Sequence, residues 1–174
     1  MPEKKVLYVG FDESNNDKAI SVYVSVSSYL TMNKKKTERL SKRRGSHEGI
    51  SERLNKRDYT FLIVQKHDSA RISRIKFPGV IMASLLEGKV DNSLTALYLF
   101  LDGKLEQSSK MYARNFISDC YSISRKKIYL EAGAKFDKKY RIINLADELA
   151  HYLASKNSSL IDFSLDEHLR FLIR

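Results

Sequence analysis

Three aspartates stand where apolar sequence gives way. Asp12 follows the apolar run at residues 6–11, Asp102 follows the run at 96–101, and Asp147 lies within INLADELAHYL at 143–153. A carboxylate bordering an apolar core needs a proton or a cation beside it. Two unit charges 4 Å apart repel by about 4 kcal/mol at an effective dielectric near 20, so a cluster of acids is tenable mainly with protons or cations between its members. Hard divalent cations suit such oxygen donors, and the chemistry they bring is metal-assisted hydrolysis. Each acid also has a plain structural use. Asp12 can open a turn, Asp102 can stop a strand beside Gly103, and Asp147, three residues after Asn144, can complement a helix N-terminus.

Other reactive side chains form weaker constellations. His151 lies four residues after Asp147, a spacing that shares a helix face and suits either a contact to that carboxylate, a proton donor to a leaving group, or an exposed structural histidine. His47 is in a basic stretch, and His67 and His168 have no metal-ligand spacing. Ser14, Ser46 and Ser84 lack a nucleophile-elbow glycine pattern and an evident His and Asp partner, and no phosphate-cradling glycine loop occurs. Serine hydrolase, kinase and dinucleotide-binding chemistries drop out.

The elements that must position these residues follow from periodicity. Residues 6–11 are almost continuously apolar, as in a central strand buried on both faces. After the turn-forming run Ser14, Asn15, Asn16 and Asp17, the alternation of Ile20, Val22, Val24 and Val26 with Ser21, Tyr23 and Ser25 predicts an antiparallel return. Residues 59–64 supply a third strand. Pro78 and Gly88 bracket a short helix, 96–101 form a fully buried strand, and Leu105, Tyr112, Phe116 and Cys120 trace a helical stripe. A short strand at 127–130 follows, then an amphipathic helix through Leu145, Ala146, Leu149, Ala150 and Leu153. Ser164 and Glu167 open a terminal helix with a capping box. The order is mixed α/β, antiparallel in its first half and parallel where strand, helix and strand alternate.

The chain of 174 residues fits one domain over 1–174. Its lone Cys120 excludes a disulfide scaffold and reads as core filler. No stretch reaches the length of a membrane span, and the first residues become acidic too early for a signal peptide, so a cytoplasmic protein with no membrane partner is expected. Lys and Arg number 31 against 21 acids, net charge +10, which favours a polyanion such as nucleic acid, although solubility alone also accounts for such an excess. The excess is concentrated at 33–57, where ten basic residues face three glutamates. That stretch reads as a mobile basic insertion or frayed helix. Its Lys34, Lys35, Lys36, Lys42, Arg43 and Arg44 are the expected phosphate contacts. Tyr29 and Tyr59, which flank it, are the candidate base contacts; the other aromatics read as core.

The Asp12-Glu13 pair closing the first strand, Asp102 closing the fourth and Asp147 on a late helix resemble the ribonuclease H-like nuclease superfamily. The Asp-Glu pair is similar to that of type 2 ribonucleases H, while GFDESN with INLADELAHYL looks more like an uncharacterised family of small ribonuclease H-like proteins. The resemblance implies a mixed five-stranded sheet flanked by helices. It further implies a nuclease hydrolysing phosphodiester bonds of DNA, RNA or a hybrid with two magnesium or manganese ions. Asp12, Asp102 and Asp147 would be the metal ligands, and Glu13 a fourth catalytic acid with Glu148 as its weaker alternative. Type 2 enzymes carry a glycine-rich turn beside their Asp-Glu, whereas Ser14-Asn15-Asn16 stands here, so selectivity for a ribonucleotide is not carried over. Two other functions fit the same residues: a non-catalytic nucleic-acid-binding module of the same fold, and a basic scaffold protein in which the three acids are coincidental.

Overall fold

A computed structural model of the chain describes residues 5–15, 20–28, 59–65 and 70–156. The basic insertion at 33–57 lies outside the described residues, with Lys34, Lys35, Lys36, Lys42, Arg43, Arg44 and His47. So do Tyr29, His67, His168 and the helix expected after Ser164. No helix among the described residues is long and apolar enough to cross a membrane.

The described elements are β1 (Val6–Asn15), β2 (Ile20–Ser28), β3 (Tyr59–Gln65), α1 (Phe77–Leu85), β4 (Ala96–Asp102), α2 (Gln107–Tyr121), β5 (Ile128–Gly133) and α3 (Arg141–Lys156). Single turns of 3-10 helix precede β5 (Arg125–Lys127) and follow it (Phe136–Lys138). The five strands form one mixed sheet in the order β3-β2-β1-β4-β5, with β1 antiparallel to β2, β2 antiparallel to β3, and β1, β4 and β5 parallel. This is the expected architecture, with β1 at the centre.

The two-residue strand repeat divides the core into two. Leu7, Val9 and Phe11 point to one face, where they pack with Ile81 and Leu85 of α1 and Ala113 and Ile117 of α2. Val22, Val24, Val26 and Phe100 point to the other, under Ile143, Ala146, Leu149 and Ala150 of α3. These helical residues recur at three and four, so α3 presents one apolar stripe to the sheet.

β1 runs further than its apolar stretch. Its ladder with β4 ends at the Phe11–Leu101 pair, but its ladder with β2 continues to Asn15–Ser21. Asp12 therefore lies within a strand, at the point where β1 and β4 part, rather than opening a turn. Asp102 is the last residue of β4, and Gly103, at φ +107°, takes a backbone conformation that favours glycine and lets the chain leave sharply. Asp147 is the seventh residue of α3, whose first turn carries no acid, so it does not serve the helix N-terminus.

Candidate functional site

Glycine at position 10 sets how closely α3 approaches the sheet. A Cβ there would lie 2.8 Å from the backbone C and O of Ile142 and 2.9 Å from the backbone N of Ile143, so the start of α3 rests directly on the β1 backbone. From that contact the two elements keep step. Four residues of helix rise about 6.0 Å and two residues of strand about 6.7 Å, so every helical turn meets the next inward-facing strand residue. Gly10 meets Ile143, Asp12 meets Asp147, and Ser14 meets His151.

The middle pair is the electrostatic centre. Asp12 and Asp147 share a side-chain hydrogen bond, and the Asp12 carboxyl is pushed up to about 8 from the ordinary 3.8. Burial is the largest cause; the charges of Asp147 and Asp102 add to it, and the Glu13 backbone N–H, which donates to Asp12 Oδ1 at 2.8 Å, opposes it. Near neutral pH Asp12 thus keeps its proton.

The next rung steadies Asp147. His151 Nε2 lies 3.2 Å from Asp147 Oδ1, and its Nδ1 shares a 3.3 Å hydrogen bond with Ser14 Oγ. With Nε2–H directed at the carboxylate, a neutral ring leaves Nδ1 to accept from the Ser14 hydroxyl. Ser14 thus has the His and Asp neighbours that no local pattern revealed. Being only 5% exposed, it is placed to hold His151 rather than to attack a substrate.

Asp102 stands at the same end of the sheet, near enough for its charge to act on Asp12. Its Oδ1 accepts the Phe136 backbone N–H at 2.8 Å, tying the end of β4 to the loop after β5. Among the described residues no three His, Cys, Asp or Glu side chains are spaced to share one ion. The site as built is a hydrogen-bonded pair with a third carboxylate beside it.

Glu13 lies apart from the pair. Adjacent strand residues point to opposite faces, and Glu13 projects away from Asp12 toward Tyr23, its cross-strand partner, to whose hydroxyl it hydrogen-bonds. Burial and the Glu13 charge together raise the Tyr23 phenol. Glu148 is one helix position beyond Asp147 and partly buried.

The same architecture occurs in proteins of known structure. Ribonuclease H2 from Pyrococcus horikoshii OT3 superposes with a TM-score of 0.56 at 18% identity, covering 86% of this chain and 72% of that one. The ribonuclease HII of a complex with PCNA from Archaeoglobus fulgidus gives 0.53 at 13% identity over the same shares. The fold is ribonuclease H-like. No protein-family model matches the sequence, and no curated protein matches it significantly. At such identities the likeness concerns the fold, and what this ribonuclease H-like chain does has to be argued from Asp12, Asp102 and Asp147 themselves.

Proposed function

We propose that the chain is a divalent-metal-dependent nuclease that hydrolyses phosphodiester bonds of a nucleic acid. Asp12, Asp102 and Asp147 would hold two magnesium or manganese ions. The observation that carries this is the half-buried Asp12–Asp147 pair: two carboxyl groups hydrogen-bonded to each other where β1 and β4 part, with the Asp102 carboxylate near enough for its charge to act on Asp12. Hard oxygen donors in that setting fit a hard divalent cation, which offsets the repulsion a proton now relieves. The structural neighbours are nucleases by name, which agrees with the chemistry of these donors.

When bound, two such ions supply Lewis acidity at the scissile phosphate and a water acidic enough to attack near neutral pH. The chain does the rest. Asp12, Asp102 and Asp147 would present their carboxylates to the ions, while His151 and Ser14 fix the direction of the Asp147 carboxylate and the Phe136 N–H fixes that of Asp102. The basic stretch at 33–57 supplies phosphate contacts. Replacing Lys42, Arg43 and Arg44 by Ala should flatten the dependence of log affinity on log salt for duplex DNA by roughly 2 to 3, at about 0.9 per lost contact. An unchanged slope would remove the stretch from the interface.

The decisive experiment joins cleavage to metal binding. Wild-type protein with manganese should cut a labelled nucleic acid, stop with chelator, and gain about 2.7 kcal/mol of stability at an ion concentration 100 times its dissociation constant. Asp147→Asn should neither cut nor gain comparably. The engagement of Asp102 with Phe136 favours a second function, a nucleic-acid-binding module without catalysis. Binding without cleavage, and equal metal stabilisation of both proteins, would decide for that module.

A further inference from the structure

On the face of the sheet that carries Asp12, the next row but one is aromatic. Tyr8, Tyr98 and Tyr129 are directly paired across β1, β4 and β5. Their rings stack, with centroids 5.1 and 4.7 Å apart and planes within 14° and 12° of parallel. Those spacings match the distance between neighbouring strands, so the rings stand up from the sheet with their faces turned toward one another. β5 is the outer strand of the described sheet, so the stack ends at Tyr129, which is 46% exposed. Its outer face is turned beyond the sheet edge, and α3 leaves it uncovered by lying over β1 and β2.

Between this stack and the carboxylates runs the loop from β5 to α3. Its Phe136 N–H is held by Asp102, its Tyr140 ring lies 4.8 Å from that of Phe100, and the Tyr140 hydroxyl is 3.4 Å from Glu131 Oε2. Lys135, Lys138, Lys139 and Arg141 are exposed along it, against Asp137 and Glu131. Lys139 Nζ is poised 4.9 Å from the Tyr140 ring centre and 5.2 Å from that of Phe136. Four strand residues, about 13 Å, separate the tyrosine row from Asp102.

We propose that this face binds a single-stranded segment of nucleic acid, its phosphates on the Lys135–Arg141 loop and a base stacked on the outer face of Tyr129. The order of carboxylates, cations and aromatic ring along one sheet face is that of one strand's path. Positive charge complements the backbone, and an aromatic face accepts any unpaired base. A base inside a duplex has both faces covered by its neighbours, so the surface selects an unpaired strand or flank. The proposal rests on nucleic acid as the ligand, and it specifies which form is bound.

The test is equilibrium binding in chelator, which keeps it separate from catalysis, using an oligonucleotide with 2-aminopurine as the stacking reporter. Wild-type protein and Tyr129→Phe should bind the single strand equally and quench the reporter. Tyr129→Leu, similar in bulk but without a π face, should lose the quench and bind the single strand roughly 5- to 100-fold more weakly, with duplex affinity unchanged. Retention of quench and affinity by Tyr129→Leu would overturn the proposal, as would equal losses for single strand and duplex. If wild-type protein binds the strand in chelator but does not cut it once manganese replaces the chelator, the nuclease fails and this surface stands; no binding of the single strand in chelator would overturn this surface alone.

Discussion

Asp12→Asn is expected to stabilise the metal-free protein, and increasingly so as pH rises from 5 to 8. The Asp12 carboxyl titrates near 8 in the folded chain and near 3.8 when unfolded. Between those values the folded state holds one proton more than the unfolded state, so wild-type stability falls as pH rises, by about 1.4 kcal/mol per pH unit. Below pH 4 both states hold the proton and above pH 8 neither does, so this contribution is flat outside that window. Asparagine keeps a donor toward Asp147 but carries no titrating proton. The variant should therefore match wild type near pH 4 to 5 and exceed it near pH 8 by a few kcal/mol, on the order of 2–4 °C in Tm for each kcal/mol at this chain size. Groups that do not interact with Asp12 titrate equally in both proteins and cancel in the difference. Parallel curves would show that Asp12 does not hold the buried proton. Cleavage by the variant should be lost at every pH, giving a protein more stable and less active than its parent, as expected where stability is given up at a functional centre.

Much of this site was legible because its acids interrupt apolar runs. The strand before Asp102 stops where Asp102-Gly103 predicts, and the apolar stripe of the helix around Asp147 is kept, although that helix begins at Arg141. The end of β1 was less legible. Its apolar run stops at Phe11, yet the strand continues to Asn15 because β2 goes on supplying a ladder partner, which no local pattern in β1 encodes. Two-residue alternation assigns Glu13 to the face opposite Asp12, so its separation from the pair could have been read once Asp12 was placed in the strand.

Long-range coincidences left no such trace. Ser14 and His151 are 137 residues apart, and their contact exists only because a helix and a strand run in step from Gly10. The tyrosine stack depends likewise on register. Each ring reads as an ordinary strand aromatic, and only the pairing of Tyr8 with Tyr98 and of Tyr98 with Tyr129 turns three residues into one surface. The loop cations at Lys135, Lys138, Lys139 and Arg141 were overshadowed by the denser charge at 33–57. Their significance comes from Asp102 holding the same loop through Phe136.

Because that step begins at Gly10, Gly10→Ala is expected to damage the site more than the fold. The added Cβ would meet the Ile142 backbone at 2.8 Å, and backbone, unlike the tip of a flexible side chain, yields only if α3 moves as a body. Overpacking of this kind costs about 1–3 kcal/mol. A displacement of a few tenths of an ångström at Gly10 is carried along a rigid helix to Asp147 and His151, loosening both the carboxyl pair and the Ser14 rung. Gly79→Ala is the matched control. Its Cβ would meet Ala113 Cα at 2.9 Å, where α1 packs on α2 on the face of the sheet opposite α3. Both variants should unfold at lower urea concentration by similar margins. At a temperature where both are fully folded, Gly79→Ala should retain wild-type cleavage and manganese stabilisation, whereas Gly10→Ala should lose most of each. If the two lose function in proportion to stability, the approach of α3 to β1 is a packing matter only, and the alignment of Asp147 with Asp12 must be held by His151 and Ser14 instead.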